Sequence, residues 1–192
     1  MSLEPHWYST LFGAWFFMGA FWGGIAATAI AVCTMIPLHP DWRESMGLQQ
    51  RHDLGKLAFG FTVFWTYLFW SQYIVIWYGN VPVETRFFVE RVFVQPWMTL
   101  AWVVLIVGWL IPFAYLLKRL TGRPPQRHAP LVVVAIFGLV AIFLERVFVV
   151  FPSVSPSARL PFGPSDLAIT AGFLALFMLS RRWFFARFKP VL

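Results

Sequence analysis

Between Ser9 and Ile36 the chain carries no acidic or basic side chain apart from its peptide dipoles. An apolar stretch of that length satisfies its backbone polar groups away from water only as a helix, so it predicts a membrane span. It is too long for the apolar core of a secretory leader and no basic residue precedes it, so it is expected to be retained. Four further apolar runs follow. Together they predict five spans, at about residues 9–36, 57–80, 92–117, 129–151 and 166–185. Each run has a visible stop: Pro37, then Val81-Pro82, then Lys118 and Arg119, then Pro152, then Arg181 and Arg182. Pro112 lies inside the third run and predicts a kink there.

Composition agrees with a chain that lives mostly in lipid. Hydrophobic residues make up 59%, charged residues 12%, and the mean hydropathy is +0.70, whereas soluble domains are about a quarter charged. The 22 Phe and 11 Trp exclude a disordered class. The expected fold is an all-α polytopic transmembrane bundle forming one domain over residues 1–192, with no internal repeat of solenoid period.

The net charge of +7 is distributed as a topology signal. Arg43, Arg51, Lys56, Lys118, Arg119, Arg123, Arg127, Arg181, Arg182, Arg187 and Lys189 fall on one side. Arg86, Arg91 and Arg159 fall on the other, and Arg146 lies within a span. The positive-inside rule then places the C-terminus in the cytoplasm and the N-terminus outside. Basic residues spread over short loops in this way do not form a nucleic-acid face, and no nucleic-acid partner is expected.

Cofactor ligands are scarce. The single cysteine, Cys33, cannot supply the thiolates of an iron–sulfur cluster or a c-type haem attachment. His6, His39, His52 and His128 sit at span ends or in loops, not in span interiors where a bundle holds haem. No pair or cluster has metal-ligand spacing. Redox centres are therefore expected in partner subunits and none in this chain alone.

The polar residues within and beside the spans are the candidates for chemistry. Glu145 and Arg146 lie 16 and 17 residues into the fourth run, about 24 Å from its cytoplasmic edge at 1.5 Å per residue. An intramembrane acid is costly and is usually kept for a function, although an interhelical ion pair is the plainer account. At similar depth come Asn80, Pro82, Glu84 and Arg86, with Glu90 and Arg91 after them. A quinol needs an acceptor for each hydroxyl and a base that titrates near neutrality, which a partly buried carboxylate supplies. Glu84 and Glu145 fit that role. Along the second span, Asp53, Lys56, Tyr67, Ser71 and Tyr78 fall within one arc of the helix and could relay protons, while Gln72 faces elsewhere. The alternatives are interfacial aromatics, a serine bonded to its own backbone, and a simple Asp53–Lys56 pair with Asp53 favouring the helix N-terminus. Gly19, Ala20, Gly23, Gly24 and Ala27 make the first span a close-packing helix.

Three blocks carry a family resemblance: MSLEPHWYSTLFG at residues 1–13, HDLGK at 52–56, and WSQYIVIWYGNVPVET at 70–85. In this order they resemble the ActF family of NrfD-like (polysulfide-reductase-type) membrane subunits of alternative complex III, the quinol:cytochrome c oxidoreductase. The resemblance implies an NrfD-like half bundle in a bacterial cytoplasmic membrane, contributing to quinol binding, proton translocation or both. It implies a second NrfD-like subunit, an iron–sulfur subunit and c-type cytochrome subunits as partners. The positions it carries over are Asp53, Lys56, Gln72, Tyr73, Asn80, Pro82 and Glu84. Where the family usually has two adjacent acids, this chain has Val83-Glu84. Three residues before Glu145, where the family tends to have histidine, it has Ile142. The family's chains are about twice as long and the match is to their second half, which implies a split subunit or a missing upstream half. A structural scaffold subunit of the same complex and a stand-alone transporter are the competing readings; the latter calls for discontinuous helices at mid-membrane.

Overall fold

The computed structural model describes residues 3, 4, 6–35, 47–122, 129–154, 160 and 162–188. Among them the structure is helical and contains no strand, as the apolar periodless runs require. The elements are α1 (Thr10–Met35), α2 (Leu48–Gly79), α3 (Pro82–Val92), α4 (Trp97–Leu105), a π-helical turn (Ile106–Leu110), α5 (Ile111–Thr121), α6 (Ala129–Val154) and α7 (Pro164–Arg187). Five helices, with α4, the π turn and α5 counted as one, are long and apolar enough to cross a membrane. Pro37, the polar group His39, Asp41, Arg43 and Glu44, and Arg123, Arg127, His128, Arg159 and Lys189 lie outside the described residues.

The helices divide into two compact units, Met1–Ala158 and Arg159–Leu192. In the first, α1 packs on α2 and α6, α2 on α5, and α4 with the π turn on α6. Small residues set the closeness of these contacts. A Cβ on Gly23 would come 3.1 Å from Ile142 Cδ1, and the ring of Trp22 lies directly over Gly138. Trp22 also donates its indole N–H to the Ala58 carbonyl of α2 at 3.0 Å, so one side chain ties three helices. Of the small residues expected to pack, Gly19 and Gly23 are buried; Ala20 and Gly24 face outward, and Ala26 and Ala29 take their place. The second unit is α7, whose first turn is held by Asp166 accepting the Gly163 N–H at 3.1 Å.

Four boundaries differ from the sequence expectation. Helix α2 begins at Leu48 and not near residue 57, because its first two turns are polar and hydropathy registers only the later ones. Residues 82–92, expected as a loop, form α3: Pro82 both ends one helix and, at the first helical position, starts the next. The run expected to start at residue 92 starts at Trp97. Helix α6 continues through Pro152 to Val154, since a proline near a helix end costs a single backbone hydrogen bond. The break expected at Pro112 takes the form of the π turn just before it, where the Ile111 N–H bonds the Ile106 carbonyl. Widening that turn moves the Gly108 carbonyl away from the proline ring. Gly108 itself faces α6, where an added Cβ would meet Ala141 Cβ at 2.8 Å.

Candidate functional site

Glu145 and Arg146 are adjacent on α6, so their side chains leave the helix about 100° apart. Arg146 turns to α1, donating to the Phe16 carbonyl at 2.8 Å with its guanidinium 3.5 Å over the Phe16 ring. Glu145 turns inward and is 1% exposed. The two meet at 3.2 Å through Glu145 Oε1. Glu145 Oε2 is buried and accepts no hydrogen bond. The glycine of α1 opposite makes room for this arrangement: a Cβ on Gly19 would stand 2.9 Å from Arg146 Nη2 and 3.3 Å from both Glu145 Oε2 and Trp65 Nε1.

Beside Glu145 lies a cavity of about 290 Å³ between α2, α4 and α6. Its walls are Trp15, Trp65, Phe69, Trp70, Tyr73, Phe93, Trp102 and Phe148 with a few aliphatic side chains, and Glu145 is the one carboxylate among them. Trp70, Phe93 and Trp102 are exposed at its mouth, whereas Trp15, Trp65, Phe148 and Glu145 form its buried floor. Tyr73 stacks between Phe69 and Trp77, which fixes one wall.

The structure brings few of the sequence candidates to this place. Glu145 and Tyr73 line the cavity. Gln72 is buried at 3% with Oε1 unbonded, but does not line it. Tyr67 and Tyr78 are 61% and 84% exposed and Ser71 is half-buried, so the arc they share runs down the bundle's outer flank. Asp53 pairs with Lys56 at 3.3 Å and accepts from Gln49. It sits in the second turn of α2, past the helix N-terminus it was expected to favour. Asn80 is the α2 C-cap, in the left-handed conformation at φ 48° with its N–H on the Ile76 carbonyl. Glu84 stands in the first turn of α3, where an acid complements the helix dipole, and does not line the Glu145 cavity.

One buried ion escaped the sequence reading. Arg91, counted there only as an outer-side charge, is 1% exposed. It donates to the Val149 carbonyl from Nη2 at 3.1 Å and from Nε at 3.3 Å, to the Phe87 carbonyl at 3.0 Å and to the Ser153 hydroxyl, and it lies 3.6 Å over the Phe87 ring. Glu4 approaches it at 3.8 Å. Burial lowers its pKa to about 10, with Glu4 and Glu90 opposing the shift, so it stays charged at neutral pH. On the exposed face of α3 the hydrogen bond to Glu90, 2.6 Å from Arg86 Nε, raises the Arg86 pKa.

No family model and no curated protein matches the chain.

Proposed function

We propose that this chain is an integral membrane subunit of an alternative-complex-III-like quinol:cytochrome c oxidoreductase and that it receives a quinol headgroup at Glu145. The observation that carries this reading is the aromatic cavity with a buried, half-bonded carboxylate at its floor. Its volume lies near the lower end of small-molecule sites, about 300–1,000 Å³. That is room for a substituted ring, with the isoprenoid tail leaving through the mouth at Trp70 and Trp102. Oxidising a quinol to a quinone releases two electrons and two protons. Arg146 holds Oε1, which leaves Oε2 to accept a hydroxyl hydrogen bond and to take the two protons in turn, passing the first to water before it accepts the second. The electrons leave to iron–sulfur and c-haem centres of partner subunits, beside a second NrfD-like subunit. In this reading the protein sits in a bacterial cytoplasmic membrane with its N-terminus outside and its C-terminus in the cytoplasm.

The test is to purify the complex in mild detergent through a tag on this chain, identify its subunits by mass spectrometry and haem staining, and measure menadiol oxidation. Iron–sulfur and multihaem subunits are expected to co-purify. Glu145→Gln is expected to lower turnover at least tenfold, while Glu84→Gln, outside the cavity, retains it. A Glu145→Gln complex that assembles and turns over at the wild-type rate would leave the scaffold reading in its place.

A further inference from the structure

A buried tryptophan ordinarily places its indole N–H on an acceptor. Trp22 does so, on the Ala58 carbonyl. Trp15 and Trp65 are just as enclosed, at 4% and 9% exposure, yet Nε1 of each has no acceptor. Both line the cavity whose third unpaired polar atom is Glu145 Oε2. Trp7 also lacks an acceptor, but it belongs to another cluster, flat against Phe87. Leaving a buried donor or acceptor unmade is costly in protein, and three such atoms fall on residues that line one cavity.

The geometry narrows that ligand. Trp65 Nε1 and Glu145 Oε2 each lie 3.3 Å from the point a Gly19 Cβ would occupy, so they are at most twice that distance apart. They nevertheless do not bond one another. The Trp15 and Trp65 rings lie side by side, 6.0 Å between centroids and tilted by 34°, with Phe69 packed against both. The residues lining the cavity therefore include two indole donors on neighbouring rings, with the one acceptor close to the Trp65 nitrogen. A quinone has only acceptor oxygens; a quinol can also donate. On the reading of this cavity as a quinol site, we propose that the indole N–H groups of Trp15 and Trp65 are its donor side, binding the oxygens of the oxidised ring, while Glu145 accepts from the reduced one. The tryptophans then set the balance between the two redox forms, holding the product quinone more than the substrate.

The experiment uses the full chain in detergent. The ultraviolet resonance Raman band that reports indole hydrogen bonding is followed during titration with menadione, with methylnaphthalene as the same ring without oxygens. Menadione is expected to shift the band saturably and methylnaphthalene to leave it unmoved. Trp65→Phe and Trp15→Phe keep the rings and remove the donors. Each is expected to weaken menadione binding about fivefold, the worth of one hydrogen bond, and menadiol binding less than twofold. If either variant fails to fold, the titration is repeated with Trp70→Phe and Trp102→Phe, which remove the indoles at the mouth and are expected to keep the band shift; its loss there overturns the proposal. Menadione binding with no band shift and no loss in the variants overturns this proposal and leaves the Glu145 reading standing. No menadione binding to the wild-type chain overturns both.

Discussion

Among the ions buried in this bundle, Arg91 and Glu145 are the most enclosed of the described residues, and they are treated in opposite ways. Arg91 is surrounded by partners: two backbone carbonyls, a hydroxyl, an aromatic face and a nearby carboxylate. Glu145 has one oxygen on Arg146 and the other on nothing, with a cavity alongside. A buried charge that is fully bonded holds structure together, and removing it leaves its partners stranded. A buried charge left half-bonded lowers stability and persists where something else uses it. The contrast separates a clamp from a site within one helix, since Val149 and Ser153 follow Glu145 on α6.

The largest effect is expected from Arg91→Met, which keeps much of the bulk and removes the guanidinium bonds that tie α3 to the Val149 carbonyl and the Ser153 hydroxyl of α6. It should destabilise the protein by about 3 kcal/mol, read as a lower thermal midpoint in detergent. A midpoint equal to wild type would remove the distinction between the two ions. Glu145→Gln should do the reverse, leaving the midpoint within about 1 kcal/mol of wild type or above it while turnover falls at least tenfold. Arg146 keeps its Phe16 carbonyl and ring in that variant. Gly19→Ala sharpens the picture: its methyl must displace Arg146 Nη2 and crowd Glu145 Oε2. A cost of about 1 kcal/mol and weaker menadiol binding are expected, and unchanged binding would mean that the carboxylate's position against α1 is immaterial. Smallest of all, Asp53→Asn, Tyr67→Phe and Tyr78→Phe act on exposed groups and should change neither midpoint nor turnover. A turnover loss in any of them would restore a proton route along the outer face of α2.

The spans were legible because each is a long apolar run closed by proline or by basic residues. Glu145 was legible because an acid inside such a run stands out. Helix α3 was not, since Glu84, Thr85, Arg86, Glu90 and Arg91 look like a solvated loop to any hydropathy window, and its defining contact joins Arg91 to a carbonyl 58 residues away. The cavity was not legible either. Its walls come from Trp15 on α1 through Phe148 on α6, and which faces of α2 and α4 meet depends on helix rotations that glycines such as Gly19 and Gly108 permit. Which way the α2 arc turns was not legible for the same reason: shared azimuth identifies a face without saying whether it packs against neighbours or points outward.

If the Glu145 cavity receives a quinone ring from the bilayer, a reactive quinone must mark its walls. Photolabelling the purified complex with an azido-quinone, followed by peptide mapping, tests it most directly. Label is expected on residues at the cavity, Tyr73, Phe93 and Trp102 foremost, and excess menadione is expected to remove it. Label confined to the outer flank at Tyr67 and Tyr78 or to the Glu84 region, or label that menadione does not displace, would contradict it.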